Sequence, residues 1–558
     1  MADSKPNVLI IVADDLGFSD LGCFGSEIKT PNLDSIAREG LRFTDFHSAA
    51  ACSPTRSMLL SGTDNHIAGI GTMSESLREF HAGQPGYEGY LNDRVAALPE
   101  LLSDAGYLTL MSGKWHLGLE KGRWPVNRGF DKSFTLLPGA GNHYANEPQL
   151  KDGDKRPTIL DLTYTMYAEG DREIGIDELP EDFYSTDAFT DKLLQYFNER
   201  DGKDKEKPWF AYLPFSAPHW PLQAPEKDRL VYRGVYDKGP GFLRQERIAK
   251  LKDLGLVPDH AKPHDVITPP RDSILTREWD HLSPSEQQYS SRTMEVYAAM
   301  VQHMDTQIGR VLSHLRSTNE LDNTLILFMS DNGAEGLLME AYPVISGNIF
   351  EHVEKYYNNS LENLGARDSY VWYGPRWASA ATAPGRLYKA FSSEGGIRVP
   401  LVLRYPPFTS ERQGKIDHSF ATVMDIMPTI LSLAGISHPH PKPYKSRNVV
   451  PMRGKSWLPY FRDRAANSQI HDEDSVVGWE LFDRSAIRKG IWKAVLIPPP
   501  YGPGEWQLYN LEADPGEAED LKETEKAKLE ELMRHWEEYV KEVGVVGAAP
   551  AYGVLRVG

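Results

Sequence analysis

The chain has 558 residues, more than one hydrophobic core of ~250–300 residues serves, so a large domain with insertions plus a smaller domain is expected. Its composition, 40% hydrophobic and 25% charged with no low-complexity tract, excludes a disordered or fibrous protein. Lys plus Arg number 61 and Asp plus Glu 79, and the resulting net charge of −18 opposes binding to nucleic acid, anionic membranes and long polyanions.

A small anion remains compatible with that charge if a few cations line one pocket. Only Cys23 and Cys52 occur, so no disulfide framework is expected. Met1-Ala2-Asp3-Ser4-Lys5-Pro6 runs straight into an apolar strand without a charged leader or a cleavage site. No window reaches the ~18 apolar residues of a membrane span. The expectation is a cytoplasmic protein, a monomer or weak oligomer, with no membrane partner.

In chain order, Asn7 to Ala13 is a nearly continuous β-branched and apolar run, the pattern of a strand buried on both faces of a parallel sheet. Cys52 to Gly62 reads as a helix capped by Ser53, with Pro54 in its first turn and Gly62 at its end. Phe210 to Phe215 is a second buried strand. From about Arg292 to Arg316, Val296, Met300, Met304, Ile308, Val311 and Leu315 recur at helical spacing. Leu325 to Met329 and Val399 to Leu403 add further strands, and strands separated by helices predict a mostly parallel sheet. The stretches 146–182, 226–290 and 335–385 are rich in Pro, Gly, aromatics and charge, and are expected to wall a cleft or to pack as loops.

After about residue 440 the character changes. Trp479 to Asp483 and Ile491 to Ile497 flank Arg488-Lys489-Gly490 as a predicted hairpin turn, and Trp506 to Leu511 adds a strand closed by Asp514-Pro515-Gly516. Thr524 to Val540 reads as a helix capped by Thr524, with Leu529, Leu532, Met533 and Trp536 on one face. Residues 1–440 are therefore expected to form the catalytic domain and 441–558 a small α+β domain with an antiparallel sheet.

The chemistry is read from the strand ends. The first buried strand runs into Asp14-Asp15 and a later one into Asp331-Asn332. In open α/β sheets the carboxyl ends of the strands line the ligand crevice. Three carboxylates and an amide converging there suit a hard divalent cation, Ca²⁺ or Mg²⁺. Cys52 lies at a helix N-terminus, where exposed N–H groups attract anions and a thiol is made reactive.

Cys52-x-Pro54-x-Arg56, with Leu60 and Gly62 following, resembles the signature of the type I sulfatases, in which the cysteine is oxidised to formylglycine. The likeness continues through Gly113-Lys114-Trp115-His116-Leu117-Gly118, Ala217-Pro218-His219-Trp220-Pro221 and Ser330-Asp331-Asn332-Gly333. It extends to Lys389 before Glu394-Gly395-Gly396-Ile397-Arg398 and to Leu508-Tyr509-Asn510-Leu511. Phe46-His47 and Gly69-Ile70-Gly71-Thr72-Met73 are similar to the bacterial-type cytosolic arylsulfatases.

This resemblance implies an alkaline-phosphatase-like sandwich that hydrolyses sulfate monoesters, aryl sulfates above all. It implies Ca²⁺, with Mg²⁺ as the alternative, held by Asp14, Asp15, Asp331 and Asn332. Cys52, as the hydrated aldehyde, is expected to be the nucleophile, held by Arg56, and to require a formylglycine-generating enzyme as partner. Lys114, His116, His219 and Lys389 are expected to surround the sulfate of a small ester. Asp331 would help deprotonate the attacking hydroxyl, His219 or Lys389 would protonate the leaving oxygen, and His116 would assist expulsion of sulfate by C–O cleavage. His143 and His303 lack motif context and are expected to be satisfied core residues. The alternatives are a phosphonate monoester hydrolase or phosphodiesterase on the same scaffold, or an anion-binding protein without turnover.

Overall fold

The computed structural model describes residues 5–148, 165–338, 348–462 and 469–547. Parts of the stretches 146–182 and 335–385, and Met1 to Ser4, thus lie outside the described residues.

The centre is a ten-stranded sheet. Its strands are β1 (Asn7–Ala13), β2 (Leu41–Phe43), β4 (Leu108–Lys114), β5 (Lys132–Leu136), β6 (Tyr167–Glu169), β7 (Arg172–Ile174), β8 (Trp209–Pro214), β9 (Thr324–Ser330), β10 (Leu401–Arg404) and β11 (Lys415–Asp417), in the order β11-β2-β10-β9-β1-β8-β4-β5-β6-β7. The middle run β9-β1-β8-β4-β5 is parallel, whereas β10 pairs antiparallel with both β9 and β2. β1, β4, β8 and β9 are buried at every position, so both faces of the sheet are covered. One helix group packs Pro31–Glu39, Ser185–Asn198 and Pro284–Ser317 together, and a second packs Cys52–Ser61 with Leu98–Asp104 and Ile426–Ala434. Two short strands, β3 (Phe46–His47) and β12 (Ala421–Thr422), pair separately.

The C-terminal segment carries a four-stranded antiparallel sheet, β13 (Val476–Leu481), β14 (Arg484–Lys489), β15 (Trp492–Leu496) and β16 (Trp506–Asn510). The helix Lys526–Val543 covers it, burying Leu532, Met533 and Trp536 against Ile487, Ala494 and Leu508. Buried polar contacts fasten this sheet to the large one. Trp479 Nε1 donates to Ser48 O at 2.9 Å, Lys493 Nζ lies 2.7 Å from Glu394, and His66 bridges Asp64 and Glu480.

Three local expectations are corrected. The cysteine helix starts at Cys52 with Ala51 as N-cap, so Ser53 is inside the first turn, where its buried Oγ has no hydrogen-bond partner. Arg488-Lys489 is not a turn but the end of β14; the turns fall at Phe482-Asp483, both at positive φ, and at Gly490. The last helix has Glu525 rather than Thr524 at its N-cap, and Thr524 Oγ1 donates to Leu521 O instead. Among the described residues, no helix is long and apolar enough to cross a membrane.

Candidate active site

The parallel strands β1, β4, β8 and β9 end along one edge, and each delivers polar groups there. Asp14 and Asp15 follow β1, Lys114 is the last residue of β4, His219 lies just beyond β8, and Asp331 and Asn332 follow β9. All six are buried. Asp15 takes φ 70°, a left-handed conformation that Asp tolerates better than most residues. At Gly333 a Cβ would lie 1.9 Å from Gly395 O, so only glycine lets the turn after β9 press against the segment that follows Lys389.

These groups and the cysteine helix share one focus. An oxygen each of Asp14 and Asp15, Cys52 Sγ and a ring nitrogen of His219 lie within 4.8 Å of one another. Lys114 Nζ sits 2.6 Å from Asp14 Oδ2, and Lys389 Nζ 2.9 Å from Asp15 and 3.1 Å from Glu335. Arg56 sends Nε (3.0 Å) and Nη2 (2.7 Å) to Asp331 Oδ2, and Nη1 to the Lys114 carbonyl at 2.7 Å. Asn332 Nδ2 donates to Asp15 Oδ1 at 2.7 Å. Cationic donors therefore surround a group of carboxylates in a site from which solvent is excluded.

Burial acts on these groups unequally. It would raise Asp14, but Lys114, His219 and Arg56 together hold that carboxyl well below the ordinary range. Burial pushes Asp15 up to about 8 despite Lys389, with repulsion from Asp14 and Glu335 adding to it. Asp331 is raised by burial and by Asp14, against the pull of Arg56. Asp14 Oδ1 and Asn332 Oδ1 are buried acceptors to which nothing donates among the described residues. Two orphaned oxygens beside carboxylates in mutual repulsion fit a hard divalent cation, which accepts all-oxygen ligands and favours the ionised carboxylates.

Cys52 is almost wholly buried, and burial pushes its thiol well above the ordinary range. Burial thus opposes the thiolate that a helix N-terminus favours. His219 Nδ1 donates to the Trp220 carbonyl at 2.6 Å, which leaves Nε2 as its only free ring position, 3.5 Å from Asp15. Burial, reinforced by Lys389, pushes this imidazole well below its usual value. His116 does not join the central cluster: Nε2 meets Glu75 at 3.1 Å, while the buried Nδ1 has no partner.

His143 is satisfied, with Nδ1 2.9 Å from Ser185 Oγ and Nε2 donating to the His219 carbonyl at 2.9 Å, and it thereby helps seat His219. His303 lies between Asp187 and Asp228, which raise it to about 9 against the effect of burial. Glu75 and Glu335, in contact with His116 and Lys389, were not among the expected site residues. Nothing local marks them, since their roles follow from contacts across the fold. Beside His219, Trp220 packs against Tyr370 at 6.2 Å between ring centroids.

The ten-stranded mixed sheet with its separate four-stranded sheet is an alkaline-phosphatase-like α/β fold. A Sulfatase family model matches residues 6–436. The chain is 51% identical over 557 residues to an uncharacterized sulfatase of Schizosaccharomyces pombe, an alignment covering 99% of this chain and 97% of that one. It is 38% identical over 456 residues to an arylsulfatase of Klebsiella aerogenes, covering 81% and 91%. The crystal structure of Ps i-CgsB superposes with a TM-score of 0.67 at 24% identity, covering 98% and 95%. The chain belongs to the sulfatase family and is a sulfuric ester hydrolase.

Proposed function

We propose that this protein hydrolyses small sulfate monoesters, aryl sulfates in the first place, with a formylglycine made from Cys52 and a calcium ion held by Asp14, Asp15, Asp331 and Asn332. The observation that carries the reading is the meeting of Cys52 Sγ, Asp14, Asp15 and His219 within 4.8 Å, ringed by Arg56, Lys114 and Lys389. The arylsulfatase relative supports the choice of ester.

When present, the hydrated aldehyde supplies paired hydroxyls and the cation supplies charge for a sulfate oxygen. The chain's own residues do the rest. Lys114, Lys389 and His219 bind the sulfate and meet the charge that develops on its oxygens. Arg56 orients the modified side chain while its bond to Asp331 keeps that carboxylate placed to take a proton. His219 exchanges its proton only at Nε2, because the Trp220 carbonyl holds Nδ1. Once protonated beside the bound sulfate, that atom protonates the departing oxygen, or Lys389 Nζ does, and His116 takes a proton in the second half of the cycle.

In this reading residues 1–440 form the catalytic domain and 441–558 the small α+β domain. The protein is a cytoplasmic monomer or weak oligomer, and a formylglycine-generating enzyme is its maturation partner. The test is relative kcat/KM on 4-nitrophenyl sulfate and on the corresponding phosphate and phosphonate esters. Preference for sulfate is expected, and preference for phosphonate or phosphodiester would replace this reading with the alternative one.

A further inference from the structure

The mechanism assigns His116 a role but says nothing of what prepares it. His116 has φ 59°, leaves β4 two residues after Lys114, and is 6% exposed. Its Nε2 lies 3.1 and 3.3 Å from the two carboxylate oxygens of Glu75. Glu75 sits in the short helical turn Ser74–Ser76, where Ser74 Oγ donates to its Oε2 at 2.9 Å. Burial opposes ionisation of Glu75, but the hydrogen bonds it accepts from His116 and Ser74 favour the carboxylate, which stays an acceptor. A carboxylate accepts only, so the bridging proton is on Nε2. The opposite nitrogen, Nδ1, is buried and has no hydrogen-bond partner among the described residues.

A second feature protects this contact. A Cβ on Gly139 would lie 2.5 Å from His116 Cε1, 2.6 Å from Nε2 and 3.1 Å from Glu75 Oε1. The backbone at Gly139 therefore lies against the histidine–carboxylate bond, and a side chain there would displace the His116 ring. Burial opposes a second proton on the ring against the pull of Glu75, and the charges of Lys114 and Arg56 add to that opposition.

We propose that Glu75 is a positioning residue for His116: by accepting the Nε2 proton it fixes the tautomer in which Nδ1 is the unprotonated, basic nitrogen. Its catalytic meaning rests on the role given to His116 above, but the tautomer itself does not. The arrangement follows the general logic by which a carboxylate orients a histidine for proton transfer.

The test is ¹⁵N NMR of full-length, histidine-labelled protein, with the His116 signals assigned by His116→Gln. Wild type should show a protonated Nε2 and a pyridine-type Nδ1. Glu75→Met, which removes the acceptor at similar volume, should give a mixture of tautomers, and Glu75→Gln, which keeps an uncharged acceptor, should recover part of the original state. At equal formylglycine content, kcat of Glu75→Met should fall about 10- to 100-fold with KM little changed, and Glu75→Gln should recover part of it. A wild-type proton on Nδ1, an unchanged tautomer in Glu75→Met, or an unchanged kcat in that variant would each overturn the proposal. Wild-type turnover in His116→Ala would instead remove the role given to His116, with the wild-type NMR result untouched.

Discussion

Lys114→Met keeps an unbranched stem in a fully buried position and removes only the ammonium, 2.6 Å from Asp14 Oδ2. Asp14 Oδ1 already lacks a donor, so the variant leaves a buried carboxylate with the 3.8 Å approach of Arg56 as its nearest remaining ion pair. Breaking one partner out of a buried pair costs about 3–5 kcal/mol. In calcium-free buffer the urea midpoint should fall accordingly, and saturating calcium should return part of the loss by supplying charge to the same carboxylate. Because Lys114 and its neighbours hold Asp14 below the ordinary range, their stabilisation is present above the unfolded carboxyl value and lost as pH falls through the folded one. The gap between wild type and variant should therefore narrow in acid. Removal of a donor to the sulfate should also lower kcat/KM by about 10²–10³-fold per aldehyde, a loss calcium cannot restore. Stability within about 0.5 kcal/mol of wild type, the scatter of ordinary surface changes, would refute the ion-pair argument. A kcat/KM equal to wild type would refute the sulfate contact.

Further outcomes follow from the same geometry. Asp331→Ala should lose bound calcium and activity together, and elemental analysis finding stoichiometric zinc in the wild type would contradict an all-oxygen site. His219→Ala should steepen the dependence of kcat/KM on leaving-group pKa across aryl sulfates; unchanged slopes would pass the acid role to Lys389. His116→Ala should show a burst of phenol followed by a slow phase, and single-phase release would argue against a second-step role. His66, raised to about 9 by Asp64 and Glu480 against burial, contributes stability that is complete below its unfolded value and lost as pH rises through about 9. Tm should decline from pH 6.5 to 9.5, and less steeply in His66→Gln; parallel curves would show that this bridge does not titrate.

The parallel core was legible because burial on both faces makes β1 and β9 continuous apolar runs, and the ligand-like residues at their ends follow directly in the chain. The helix Pro284–Ser317 was legible only from about Arg292, since its first two turns are mostly polar and only partly buried. Its start is marked instead by Ser283 and Glu286, which cap each other. β14 was missed for two reasons. Arg488-Lys489-Gly490 reads as a charged turn, and the true turn, Phe482-Asp483, has both residues at positive φ without glycine or asparagine. What makes that strand viable is distant: Arg488 pairs with Asp45 and lies over Phe420 at 3.9 Å. Glu75 was invisible for the same reason, because 41 residues separate it from the histidine it holds.

The central claim, that Cys52 is converted to formylglycine, is tested most directly by mass spectrometry of the intact Cys52 peptide from active protein. The peptide should be lighter by the difference between a thiol and an aldehyde and should react with a hydrazide, and activity across preparations should rise in proportion to the aldehyde fraction. Burial disfavours the thiolate of the unconverted Cys52, which is not expected to act as a nucleophile. Sulfate-ester turnover by protein whose Cys52 is wholly thiol would contradict the account.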